Sequence, residues 1–209
     1  MSGKRLLWLV SRSLIRLTFL LAFRVRIFGQ LNVPQTGGVL IVSNHQSYLD
    51  PLLLAFGLER SSSFMARRTL FRNAAFGWLI ASLNAFPVTR GGLDVPALRE
   101  AVSRLQDGWC LVVFPEGTRT ETGAIGPLKP GVLAIAERAG VPIVPAVVQG
   151  VFEAWPRGGR VRPHPIAVSY GRPIGPAECR RLGREGLVAR IRADMLRRQR
   201  DLRRRDSRR

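Results

Sequence analysis

The chain reads as an α/β fold, a mostly parallel central sheet flanked by helices, and three observations predict it. Short apolar runs alternate with amphipathic stretches from residue 27 onward, the pattern of a sheet covered by helices. Three of the runs lack polar alternation, so their strands are expected to be buried on both faces, as in parallel sheets. The stretches between them carry helix start and stop signals. With 46% hydrophobic residues in 209, the chain has enough apolar surface for a sizeable core, which excludes the disordered class.

The elements follow in order. On a helix, Leu6, Val10, Leu14, Leu17, Leu20 and Leu21 fall on one arc and Arg5, Arg12 and Arg16 on another, with Trp8 and Phe19 at the flank. Arg12 and Arg16 interrupt the apolar stretch and no small-residue cleavage site follows, so neither a signal peptide nor a membrane span fits. Two readings stand for this segment: a basic amphipathic helix lying in a membrane interface, or a terminal helix packed on the domain. Residues 38–42 (GVLIV), 109–114 (WCLVVF), 143–148 (IVPAVV) and 166–170 (IAVSY) read as strands, and 64–66 and 85–88 as weaker ones. Asp94 is a plausible N-cap with Pro96 in the first turn, and Leu98, Ala101, Val102 and Leu105 form a stripe that Gly108 ends. A second helix spans about 131–139, stopped by Gly140 and Pro142. A third runs from about Gly186, burying Leu187, Ile191 and Met195 and turning its arginines outward; residues 203–209 are expected to fray. The organisation is then an interfacial segment at 1–26, an α/β domain at 27–179 and an Arg-rich helix and tail at 180–209.

Charge follows the same division. The net charge is +19, from 33 Lys and Arg against 14 Asp and Glu. Residues 1–26 hold six bases and no acid, and residues 180–209 hold 13 Arg and four acids, so the middle is nearly balanced. Such ends suit an anionic partner, either a membrane surface, an acidic protein or nucleic acid. Only two of the bases are Lys, so a general preference for Arg also contributes. Cys110 and Cys179 have no spacing that suggests a metal site or a disulfide framework, which fits a reducing compartment.

Two stretches carry chemistry. His45 follows the strand GVLIV in NHQSYLD, residues 44–50, and Asp50 precedes Pro51, a natural first-turn residue. His45 is therefore expected on a loop at the carboxyl end of a strand, where open α/β sheets build their sites. Asp50 can turn back to accept the imidazole N–H and make His45 a general base, or it can simply cap the helix and leave His45 a loop residue. His164, between Pro163 and Pro165, reads as structural. The second stretch, FPEGTRT at 114–120, leaves another strand end. Pro115 breaks the ladder, Gly117 permits a tight turn with exposed N–H groups, and Arg119 offers a planar fork suited to phosphate. Glu116 could accept from a substrate hydroxyl.

NHQSYLD, then FPVTR at 86–90, FPEGTRT and VPIVP at 141–145 together resemble the 1-acyl-sn-glycerol-3-phosphate (lysophosphatidate) acyltransferase family of glycerolipid acyltransferases, in that order along the chain. The resemblance covers about residues 39–150 and implies the glycerolipid acyltransferase fold. It implies that His45, with Asp50, takes the proton of the acceptor's free sn-2 hydroxyl, which attacks an acyl thioester to give phosphatidic acid. It also implies that Arg90 and the block of Glu116, Gly117, Thr118 and Arg119 bind the glycerol phosphate, and Lys129 before Gly131 matches a further basic position. It implies no metal and no resident cofactor. Acyl-CoA or acyl-carrier protein is then the expected co-substrate, and the expected place of work is an anionic membrane, at its cytoplasmic face. Two departures bear on the headgroup: Thr89 stands where the family has an acid, and Arg67 and Arg68 precede Leu70-Phe71 where a Lys is common. The alternatives are the same reaction on another lyso-lipid and, remotely, a basic nucleic-acid-binding protein. No recognition signature supports the latter, and no nucleic acid is expected.

Overall fold

A computed structural model of the chain describes residues 23–58, 60, 62–89 and 94–206. The helix expected over residues 6–23 thus lies, but for Phe23, outside the described residues. Seven strands form one sheet: β1 (Arg26–Phe28), β2 (Val39–Ser43), β3 (Ser62–Arg67), β4 (Ala85–Val88), β5 (Cys110–Val113), β6 (Ile143–Gln149) and β7 (Ala167–Tyr170). Their order is β1-β7-β6-β2-β5-β3-β4. β2 to β6 all run parallel, while β7 is antiparallel to β6 and β1 parallel to β7. The mostly parallel sheet expected from the three unbroken apolar runs is present, and β2, β5 and β6 are its adjacent central strands.

Helices cover both faces. They are α1 (Asp50–Phe56), α2 (Ala74–Ser82), α3 (Val95–Gln106), α4 (Ala134–Ala139), α5 (Val151–Ala154) and α6 (Pro176–Asp206). Pleating sends Leu40 and Val42 of β2 to one face, against Ala101 and Leu105 of α3, Ile135 of α4 and Ile191 and Met195 of α6. Val39 and Ile41 go to the other, with Leu53 and Leu54 of α1, Val151 of α5, and Phe23 and Val25. Each fully buried leucine or isoleucine contributes about 2 kcal/mol, so β2 is fixed in register from both sides. Cys110 lies in this core, where burial pushes its thiol up to about 12, and it serves packing.

Several expectations change. β1 and α2 were not foreseen: one is three residues long, and the other, AAFGWLIAS, is apolar around its whole circumference and has no periodicity to detect. The third helix starts ten residues early, at Pro176, with a break at Gly183, whose φ of 64° is in the left-handed region. Its end does not fray at 203. Leu202 is buried, Arg26 donates to Asp206 at 2.8 Å, and the Arg205 guanidinium lies 5.2 Å from the Phe28 ring centre, so tertiary partners on β1 hold residues 203–206 helical.

Not all the arginines of α6 are simply solvated. Buried Asp194 accepts from Arg197 at 2.7 Å and from Arg198 at 2.6 Å, and Arg198 also donates to Ser169 of β7 at 3.2 Å. Asp194→Ala is expected to lower the unfolding free energy by about 2 kcal/mol, because Arg198 keeps its half-buried charge and loses its counter-ion. Urea unfolding with an unchanged m-value checks this.

Candidate active site

The parallel direction of β2, β5 and β6 brings the loops leaving them to one edge of the sheet. The chain crosses from β2 to β3 past β5, and from β5 to β6 past β2, so this edge is a point where the strand order reverses. Asn44 continues the pairing of β2 and β6 with its side chain: the amide donates to Val148 O and accepts from Val148 N–H, both at 2.9 Å. The next residue, His45, therefore starts from a fixed point.

Asp50 stands at the start of α1 and does not cap it. Its Oδ2 accepts from the backbone N–H of Gln46 at 2.5 Å and of Ser47 at 2.8 Å, and lies 2.7 Å from His45 Nδ1. Three donors converging on one buried oxygen suit a carboxylate, which has no proton to give, so Nδ1 carries the hydrogen and Nε2 is left with a lone pair. Between the two readings open in the sequence, the geometry chooses the one in which Asp50 turns back. Leu53 and Leu54, buried on the sheet, anchor the helix that carries it. Asp50 Oδ1 is buried and has no hydrogen-bond partner among the described residues.

His45 is fixed on every side. Its N–H donates to Glu116 Oε1 at 3.0 Å, its carbonyl accepts from Thr120 N–H at 2.8 Å, and its ring stacks on Phe114 with centroids 4.1 Å apart and planes 18° from parallel. The ring thus presents Nε2 from a site held by main chain and aromatic packing, a preorganised position for a base.

The loop after β5 supplies the rest. Glu116 Oε2 accepts from Gly126 N–H at 3.2 Å, so both oxygens of the expected substrate ligand hold backbone donors of two loops. Burial raises its carboxyl above the ordinary range, against the lowering effect of those two N–H groups. Gly117 has φ +74°, and a Cβ there would stand 3.0 Å from Lys129 Nζ, so the ammonium lies over this turn. Thr118 is exposed on it. Arg119 lies over Tyr48 of the first loop, its guanidinium carbon 3.6 Å from the ring centre. Arg119 and Lys129, expected from sequence to meet a phosphate, thus reach the edge that holds His45. Arg90 lies outside the described residues. On its two sides, Thr89 N–H donates to Asp94 at 2.7 Å, and the N–H groups of Thr89 and Ala97 hold the Asp94 carboxyl below its ordinary range.

A protein-family model described as Acyltransferase matches residues 24–149 of this arrangement. The chain belongs to the acyltransferase family. A 1-acyl-sn-glycerol-3-phosphate acyltransferase of Bacillus subtilis is 32% identical over 127 residues, which is 60% of this chain and 63% of that protein. The chloroplastic enzyme BAT2 of Brassica napus, of the same name, is 32% identical over 139 residues, 65% of this chain and 40% of its own. The crystal structure of the 1-acyl-sn-glycerophosphate (LPA) acyltransferase PlsC from Thermotoga maritima is similar at a TM-score of 0.77 and 30% identity, covering 89% of this chain and 74% of that one. The chain spans less than two thirds of the length of the two curated relatives.

Within this acyltransferase-family site, sequence reasoning missed the residues that brace it. Gln46 is buried, donates to Gly123 O at 3.1 Å and accepts from Phe152 N–H at 3.3 Å, joining the loops after β5 and β6. Asn44 and Phe114 were likewise unassigned. Their one signal was position, since each flanks a strand end that carries a candidate site residue.

Proposed function

We propose that the chain transfers an acyl group from an acyl thioester to the sn-2 hydroxyl of 1-acyl-sn-glycerol-3-phosphate, giving phosphatidic acid. The observation that carries the reading is the His45–Asp50 pair at a loop edge shared with Arg119 and Lys129, in a chain whose relatives bear that enzyme's name. The headgroup phosphate meets the Arg119 fork and the Lys129 ammonium, with Arg90 as a further ligand. The free hydroxyl then faces His45. As the hydroxyl oxygen attacks the thioester carbonyl, its proton passes to His45 Nε2, and Asp50 stabilises the imidazolium through Nδ1–H. The C–S bond breaks, an ester bond forms, and the thiolate leaves with the proton that Nε2 returns. Glu116 acts through position, tying the His45 peptide to the phosphate loop.

No resident cofactor or metal enters this scheme; acyl-CoA or acyl-carrier protein is the co-substrate. The acceptor's tail stays in lipid, because extracting it would cost about 0.8 kcal/mol per CH₂. The enzyme therefore works on an anionic membrane, at its cytoplasmic face, where the free Cys110 and Cys179 sit easily. Among the described residues no helix is long and apolar enough to cross a membrane; the basic N-terminal segment is the proposed surface attachment. Thr89, in place of the family's acid, favours a second reading in which another lyso-lipid is the acceptor. Asp94 beside Thr89 returns an acid to that place and supports the first.

The test incubates the purified chain and liposomes with a labelled acyl donor, acyl-CoA or acyl-carrier protein, and a panel of acceptors. Lysophosphatidate is expected to be acylated at least about tenfold better than an uncharged monoacylglycerol, the worth of one or two charge-assisted hydrogen bonds. Equal rates would remove the phosphate role, and absence of any acylated acceptor would remove the reading itself.

A further inference from the structure

We propose that α2, with the arginines that precede it, is a docking surface for an anionic lipid bilayer, separate from the N-terminal segment. The inference starts from a contradiction between composition and burial. AAFGWLIAS has one polar residue in nine, and a helix apolar on all sides belongs either inside a protein or in lipid. Here Gly77 is its only buried residue. Phe76 is 40% exposed, Trp78 74% and Leu79 47%.

The way the helix is fastened explains how this is possible. A Cβ at Gly77 would come within 3.1 Å of the Phe71 backbone, so the helix packs through a glycine on the 3-10 turn at 68–72 that leads into it. Asn73 fixes its start by accepting from Phe76 N–H at 2.9 Å. Ile80 is half-buried, while Phe76, Trp78 and Leu79 project outward.

Charge names the occupant. Residues 62–89 contain three arginines and no acid. Arg67, Arg68 and Arg72 stand exposed at the amino end of α2. Exposed Trp and Leu beside a cluster of arginines match an interface in which aromatic and aliphatic groups enter the acyl boundary and cations meet anionic headgroups. A protein partner would need matching acids and a fitted pocket, whereas a bilayer needs neither.

Position connects the surface to the site. β3 runs parallel to β2 and β5, so its end at Arg67 opens on the sheet edge that carries His45. Tyr48 and Trp155, 5.8 Å apart at that edge, add further amphipathic rings. Docking through α2 would bring Arg119 and Lys129 to headgroup level. That orientation rests on the acyl-transfer reading; the binding itself does not.

The experiment uses the full chain, Trp78→Ser/Leu79→Ser and Arg68→Glu/Arg72→Glu, with sucrose-loaded vesicles of phosphatidylcholine alone or mixed with phosphatidylglycerol. Wild type is expected to sediment with the mixed vesicles and each double variant to bind at least about tenfold more weakly, on the scale of one interfacial anchor or two headgroup charges. Lipids brominated in their acyl chains should quench wild-type tryptophan emission more than that of Trp78→Phe. Circular dichroism melts should coincide, since all these side chains are exposed. Unchanged vesicle binding in both double variants overturns the proposal. So does loss of self-association in the variants, which would make a second copy the occupant, or shielding of Trp78 from acrylamide without vesicles, which would make it residues 1–22. Acyl transfer to a dispersed, short-chain acceptor is measured on the same preparations and should persist in the Trp78→Ser/Leu79→Ser variant. If no preparation transfers acyl groups, the reaction reading fails while the vesicle result stands.

Discussion

Replacing His45 by alanine is expected to lower kcat for acyl transfer by about 10²- to 10⁴-fold, the range that a positioned general base supplies. The substitution is a clean one because the bonds that hold the loop at this residue are main-chain bonds. Its N–H still reaches Glu116, and its carbonyl still accepts from Thr120. What disappears is the imidazole and its stack on Phe114. Asp50 keeps the N–H groups of Gln46 and Ser47, so its charge is not stranded. KM for the acceptor should move little, because Arg119 and Lys129, the proposed phosphate ligands, are untouched. Single-turnover kinetics on liposomes, with the variant's melting temperature as control, separates chemistry from folding. Retention of more than about a tenth of the wild-type rate would sink the assignment of His45 as base, since even the low end of such effects is larger.

How far this could be read beforehand depended on the range of the interaction concerned. The unbroken runs of β2, β5 and β6 are local, and their composition alone marks strands buried on both faces. From there His45 could be placed on a strand-end loop, and the four sequence blocks pointed to the family. The local residues alone left open the choice between Asp50 as cap and Asp50 as partner of His45, since both geometries begin from the same sequence, and only the family resemblance pointed to the pair. Glu116 was expected to bind substrate; that its oxygens also accept N–H groups 71 residues back and ten residues on was not legible. No local rule connects those positions. α2 was invisible for the opposite reason: an apolar segment with no polar face carries no periodicity, and Gly77 reads as a breaker although it is the contact point. The end of α6 looked frayed because Arg203, Arg204 and Arg205 suggest solvent. Arg26, Phe28 and Gln149 hold it from almost the other end of the chain and from β6.

Asp50→Asn should cost less than the same change in a serine-protease triad, and the reason lies in the two backbone donors. In such a triad the amide can turn its NH₂ toward the ring and force the wrong tautomer, a loss of about 10⁴-fold. Here the position nearest His45 Nδ1 also receives the N–H groups of Gln46 and Ser47. An NH₂ placed there would oppose two donors, so the amide oxygen is forced into that position and Nδ1 keeps its hydrogen. The base survives in the right form. The negative charge that steadies the imidazolium is lost, and kcat is expected to fall by about 10²- to 10³-fold, within the range for a general base and short of the tautomer effect. The NH₂ then occupies the place of Oδ1, which is buried and has no partner among the described residues. An unsatisfied donor there should remove about 1–3 kcal/mol of stability, a fall in Tm of several degrees for a chain of this size. Nitrogen-15 NMR of the imidazole, recorded with the rate and the melt, decides the matter. Retention of the Nδ1–H tautomer with a partial loss of rate supports the two-donor argument. An Nε2–H tautomer with a loss equal to that of His45→Ala would show that the amide turns after all, and that Gln46 and Ser47 do not set its orientation.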